Sequence, residues 1–267
     1  MKLRYITFVL AASTLASQPL MCQSEPDSRH LTSTAIVPSD RIVANTSASE
    51  LETRADQLRA AKEYVDAYDL YRAALAKNPN SAVLYNKLGI NELMSLHLRQ
   101  AKSDFEHALH LNRQFASAYN NLGVLEYALK KYRGAIKDYE KAIHLEENAT
   151  YYSNLGAAYF SKKNFPKATE AYSKAVEIDP DVFNNSTRAG ISGQIASPED
   201  RAHFSYVLAE LYAQQGFADR SLECLRRALE EGYKHADDAH SDAAFTQLRN
   251  DPRFIALMSK RPSAISD

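Results

Sequence analysis

The chain has 267 residues, 45% hydrophobic and 24% charged, with a formal net charge of −1. A balance this close to neutral provides no basic stripe for a nucleic acid and no polybasic patch for a membrane surface. Two cysteines are too few for a disulfide framework. Sparse glycine, no tryptophan and abundant alanine, leucine, lysine and glutamate favour helices.

At the N-terminus, Lys2 and Arg4 precede an apolar run from Tyr5 to Ala12 that continues through Thr14 and Leu15. This is the pattern of a secretory signal over residues 1–24, with cleavage after Ala16 or after Ser24, and it predicts an exported protein, periplasmic or extracellular. The run falls short of the roughly 20 apolar residues that cross a bilayer, and nothing later reaches that length, so no membrane span is expected. A lipid anchor at Cys22 is not expected either. Bacterial lipoprotein signals carry a leucine three residues before the cysteine and a small residue directly before it, whereas here Pro19, Leu20 and Met21 lead into Cys22. Residues 25–47 show no sustained helical periodicity and read as a flexible linker.

From residue 48 the sequence repeats itself. Leu88, Gly89, Ala101, Phe105 and Ala108 recur as Leu122, Gly123, Ala135, Tyr139 and Ala142, then as Leu155, Gly156, Ala168, Tyr172 and Ala175. A weaker earlier copy reads Ala55, Ala67, Tyr71 and Ala74. A small residue at one end of a twelve-residue interval and an alanine at the other let two helices approach around a short turn. The aromatic and the second alanine fall on one face of the second helix. The expected units are 48–81, 82–115, 116–148 and 149–182, each a helical hairpin that buries its apolar stripe only by stacking on the next.

The register breaks after Pro180. Residues 183–201 read as an inter-repeat loop and helix start, with Ser197 as N-cap, Pro198 at the first helical position and Asp200 three residues after the serine. A degenerate fifth unit follows at 202–235, with Ala209 and Tyr212 in its first helix and Ser221, Leu225 and Ala228 in its second. Short capping helices are expected at 236–260, with starts at Ser241 and at Asp251-Pro252, and residues 261–267 form a tail. Phe245, Leu248, Phe254, Leu257 and Met258 would seal the last unit, as an open stack requires.

This pattern resembles the tetratricopeptide repeat (TPR) family. The resemblance implies an all-α fold, a right-handed superhelical solenoid of about five TPR helical hairpins with a C-terminal helical cap. It also implies that the first helices of the hairpins line a concave groove that holds a protein or peptide partner. The candidate groove residues flank the Leu-Gly pairs: Asn86, Lys87, Asn120, Asn121, Ser153 and Asn154, with Tyr127 and Phe160 as apolar contacts. Asn121 and Asn154 repeat in register, similar to the asparagine ladder of O-GlcNAc transferase repeat domains, which hydrogen-bonds a peptide backbone. The carboxylate clamp of chaperone-binding TPR domains needs cations that the matching positions, Asn86, Ile90, Asn121, Thr150 and Asn154, lack.

No catalytic signature stands out, so a non-enzymatic scaffold or adaptor of the cell envelope is the expected function, with no cofactor. The segment Gly190-Ile191-Ser192-Gly193 lacks the spacing of a hydrolase nucleophile turn. Two histidine groupings leave an alternative open, a metal-dependent accessory or enzyme. One is His107 with His110; the other is His235, Asp237, Asp238, His240 and Asp242. Self-association through the end of the array is a third reading.

Overall fold

The computed structural model describes residues 45–183 and 197–259. The signal, all but the last residues of the linker, most of the 183–201 loop and the tail lie outside them. The described residues hold eleven α-helices and no strand. Ten form five consecutive hairpins: α1 (Ala48–Ala60) with α2 (Tyr64–Lys77), α3 (Ala82–Met94) with α4 (Leu98–Leu111), α5 (Ala116–Ala128) with α6 (Tyr132–Leu145), α7 (Ala149–Ser161) with α8 (Phe165–Ile178), and α9 (Pro198–Gln214) with α10 (Ala218–Glu230). Each helix packs against its hairpin partner and against the next helix in the chain, so the core runs as a column through the stack.

That column is built from the repeated aromatics. Tyr71, Phe105, Tyr139 and Tyr172 have no exposed surface, and Leu225 occupies the same place in the fifth hairpin. The glycines exist to admit these rings. A Cβ on Gly89 would lie 2.7 Å from the Phe105 ring, and one on Gly123 would lie 2.6 Å from the Tyr139 ring; Gly156 and Tyr172 are in the same relation. The tight approach is therefore between the glycine and the ring sixteen residues on, more than between the glycine and the alanine twelve residues on. The degenerate unit obeys the same logic: its ring has become Leu225, and its glycine has become Ala209. Ser221, the serine in the alanine position, is fully buried, and its hydroxyl donates to the Ala209 carbonyl at 2.8 Å.

Every hairpin turns in the same way. Lys62, Leu96, Lys130, Lys163 and Gly216 adopt positive φ of 58–80°, and the following amide donates to the carbonyl five residues behind it, as His97 does to Glu92 at 2.8 Å. Only the fifth hairpin places a glycine there.

The start of α9 agrees with the sequence. Ser197 Oγ accepts from the Asp200 amide, and Pro198 is the first helical residue. Beyond α10 come two short 3-10 turns (Ala236–His240 and Ala243–Phe245) and α11 (Pro252–Ser259). Phe245, Leu248, Phe254 and Met258 are buried against the last hairpin. The expected start at Ser241 is displaced by one residue. Asp242 is the capping side chain, accepting from the Ala244 amide at 2.8 Å, while the Ser241 hydroxyl donates backwards to the Asp238 carbonyl. No described helix is long and apolar enough to cross a membrane.

Candidate functional site: the face shared by the first helices

Along the stack, the first helices of successive hairpins meet one another through polar side chains one repeat apart. Asn121 Nδ2 donates to Asn86 Oδ1 at 2.9 Å, and Asn154 Nδ2 donates to Asn120 Oδ1 at 2.9 Å. Asn120 Nδ2 in turn reaches Asn121 Oδ1 at 3.3 Å, which joins the two bonds into a single chain across α3, α5 and α7. Two hydroxyl pairs flank it, Ser117 with Tyr151 at 3.1 Å and Tyr127 with Ser161 at 2.8 Å. Burial pushes the Tyr151 and Tyr127 phenols above their ordinary range.

At the α1 end the same face is ionic. Lys87 Nζ lies 2.6 Å from Glu52 Oε1 and 2.5 Å from Asp56 Oδ2, while Asp56 also accepts from Tyr71 Oη and Arg59. Burial works against both charges, and the pairing still carries Asp56 below and Lys87 above their usual values.

These contacts revise the role of the sequence-derived candidates. Asn154 is 1% exposed and Ser153 fully buried; Asn86, Asn120, Tyr127 and Phe160 are buried too. The asparagine amides are spent on one another, so they hold hairpin to hairpin where a peptide ladder was expected. A buried amide must find a partner inside the protein, and the next repeat's amide is the nearest one. Of the eight candidates, only Asn121 and Lys87 are partly exposed. Between them, Ile90 and Val124 supply a partly buried apolar stripe packed on the column beneath. The hydroxyl rungs escaped the sequence reading. Their signal was present, because Ser117 with Tyr151 and Tyr127 with Ser161 are complementary polar pairs 34 residues apart.

The alternative groupings hold less. Among the described residues no three His, Cys, Asp or Glu side chains are placed to hold a metal ion. His107 and His110 are both exposed, and His107 rests on the Tyr85 ring with centroids 4.0 Å apart. Cys224 is a buried thiol, its pKa pushed up to about 11 by burial, which makes it inert packing.

Comparison with known proteins identifies two of the repeats. Residues 116–148 and 149–182 match the family model described as tetratricopeptide repeat, with the unit boundaries expected from the sequence. Residues 116–182 carry two tetratricopeptide repeats. No curated protein shows significant similarity to the chain. Solved structures to which it is similar include MamA, at 22% identity over 73% of this chain and 95% of that one, with a TM-score of 0.47. YrrB, described as a TPR protein with an unusual peptide-binding site, is 21% identical over 76% of this chain and 96% of its own, with a TM-score of 0.47. MamA of Desulfovibrio magneticus RS-1, from residue 41 to its end, is 16% identical over 73% and 97%, with a TM-score of 0.48.

Proposed function

We propose that this TPR array is a non-enzymatic scaffold that binds a segment of another protein on the face shared by its first helices. The observation that carries the reading is the split between the two side-chain sets on that face. The polar side chains lock one hairpin to the next, which leaves Ile90 and Val124 on a rigid, pre-ordered surface beside the half-exposed Asn121 amide. A surface whose geometry is already fixed loses little freedom on binding, which favours affinity for an extended or helical peptide. Export through the N-terminal signal, and hence a place in the cell envelope, belongs to the same reading and rests on Lys2, Arg4 and the apolar run after them.

Photo-crosslinking tests the binding face. A benzophenone side chain placed at Val124 in the full chain should yield adducts with protein from a native extract. The same group at Lys141, an exposed residue of α6, should yield few. Equal yields at the two positions would sink the reading. N-terminal sequencing of the protein from its native host tests export, and an intact Met1 would contradict it.

A further inference from the structure

Because the hairpins are copies, the array is its own alignment, and the first two hairpins depart from the others at one place. Two residues after the small residue of the first helix, the later units bury an apolar side chain, Leu125, Ala158 or Leu211; the second unit buries Asn91 at 1% exposure. In the left-handed turn, Lys62, Lys130, Lys163 and Gly216 are matched by Leu96, which is 66% exposed. At the start of the second helix, Arg99, Arg133, Pro166 and Asp219 are matched by Val65, 77% exposed. Beside Val65, Glu63 and Asp66 stand where the third unit has Lys131 and the fourth has Lys167.

Glu63, Val65, Asp66 and Asn91 line one groove of about 660 Å³ between the start of α2, the end of α3 and the start of α4, and Leu96 stands in sequence between two of its lining residues, Ser95 and His97. Tyr64, Val65 and Tyr68 supply its apolar lining; Lys62 also borders it, and of its three carboxylates Glu92 is held by His97 at 2.6 Å while Glu63 and Asp66 make no ion pair among the described residues. Asn91 Nδ2 donates to the Tyr64 carbonyl at 2.9 Å, but its buried Oδ1 has no hydrogen-bond partner among the described residues. A buried acceptor left unpaired costs on the order of 1–3 kcal/mol, which an incoming N–H would recover. The equivalent edge two hairpins on has the opposite character: Lys130, Lys131, Arg133 and Lys162 line a cavity of about 340 Å³ and make no ion pair among the described residues.

We propose that the α2–α3–α4 groove docks a segment of a partner protein that carries an apolar side chain next to a lysine or arginine. The apolar side chain would cover Val65 and Tyr68, the cation would meet Glu63 and Asp66, and a backbone N–H would reach Asn91 Oδ1. This site is separate from the face shared by the first helices, and its success or failure leaves that reading untouched.

The probes are three soluble twelve-residue peptides: leucines flanked by arginines, the same leucines flanked by glutamates, and serines flanked by arginines. By fluorescence anisotropy the full chain should bind the leucine–arginine peptide about tenfold or more tightly than either of the others, as burial of an apolar anchor beside a paired charge requires. Hydrogen exchange should slow around residues 62–68 and 91–97. The double variant V65S/L96K, with helicity unchanged by circular dichroism, should lose the preference, and D66K should weaken it. Equal binding of the glutamate peptide, or an unchanged preference in V65S/L96K, would overturn the proposal. So would light scattering that shows a dimer which V65S/L96K abolishes, because the groove would then belong to a second copy of the chain.

Discussion

Asn154 donates to Asn120 across 2.9 Å and 34 residues of sequence, from one hairpin to the residue just before its own equivalent, Asn121, in the neighbour. That bond, repeated one unit earlier by Asn121 and Asn86, fixes how first helices lie side by side. Asn154→Ala should destabilise the array by about 1–3 kcal/mol in urea unfolding, because it strands the Asn120 carbonyl in a buried site. The double variant N120A/N154A should cost less than the sum of the two single changes, as contacting partners do. Strict additivity would show that the amides do not cooperate.

Gly156→Ala should destabilise by about 1–3 kcal/mol, since its new methyl meets the Tyr172 ring inside a packed column. Adding Tyr172→Leu should recover part of that loss, because Ala209 with Leu225 is the arrangement the fifth hairpin already uses. Thermal unfolding of the three variants reads this directly. A neutral Gly156→Ala would show that the ring moves aside freely.

The turns give a test of backbone strain alone. A Cβ on Gly216 would meet nothing within 4 Å, yet its φ is +80°. Gly216→Ala should therefore cost about 1–2 kcal/mol through conformation and not through contact. Leu96→Gly should be neutral or stabilising by up to about 1 kcal/mol, as the relief of strain outweighs the added freedom of the unfolded chain. A clear loss on Leu96→Gly in the isolated chain would mean that Leu96 packs more firmly than its exposure indicates.

Stability should fall as pH rises from about 4.5 to 8. Burial, reinforced by Asp242, raises the Glu210 carboxyl to about 8, and burial with Glu92 or Glu126 nearby raises Asp104 and Asp138 to about 6. Each binds its proton more tightly folded than unfolded, so the folded state is favoured while they stay protonated and loses ground as they ionise. Asp242 acts in the opposite direction. Burial opposes its charge, but bonds from Glu210, the Ala244 amide and Tyr206 hold it below its ordinary value, so its contribution disappears in stronger acid. Glu210→Gln should flatten the upper part of the profile, between about pH 6 and 8. A variant that keeps the full slope there would place the titration elsewhere.

The hairpins were legible because packing is periodic. Gly123, Ala135, Tyr139 and Ala142 touch the same kinds of neighbour in each copy, so the sequence repeats wherever the contact repeats. The asparagines misled for a related reason. Register places Asn121 and Asn154 at equivalent positions, but exposure is set by the next hairpin along, and α7 is far more deeply covered than α5: Asn154 is buried and Asn121 only half so. Spacing shows which residues share a face, while burial decides whether that face serves folding or binding. Asp242 was missed as a cap because Ser241, one residue earlier, has the same chemistry and no tertiary contact was available to choose between them.

The proposed division of labour gives the asparagines the hold between hairpins and gives Ile90 and Val124 the binding. Its most direct measurement is the affinity of the protein captured by the Val124 crosslink for three chains: the native sequence, I90S/V124S and N120A/N154A. I90S/V124S should lose about tenfold or more, and N120A/N154A clearly less, at a temperature where both remain folded. Native affinity in I90S/V124S together with loss in N120A/N154A would contradict it.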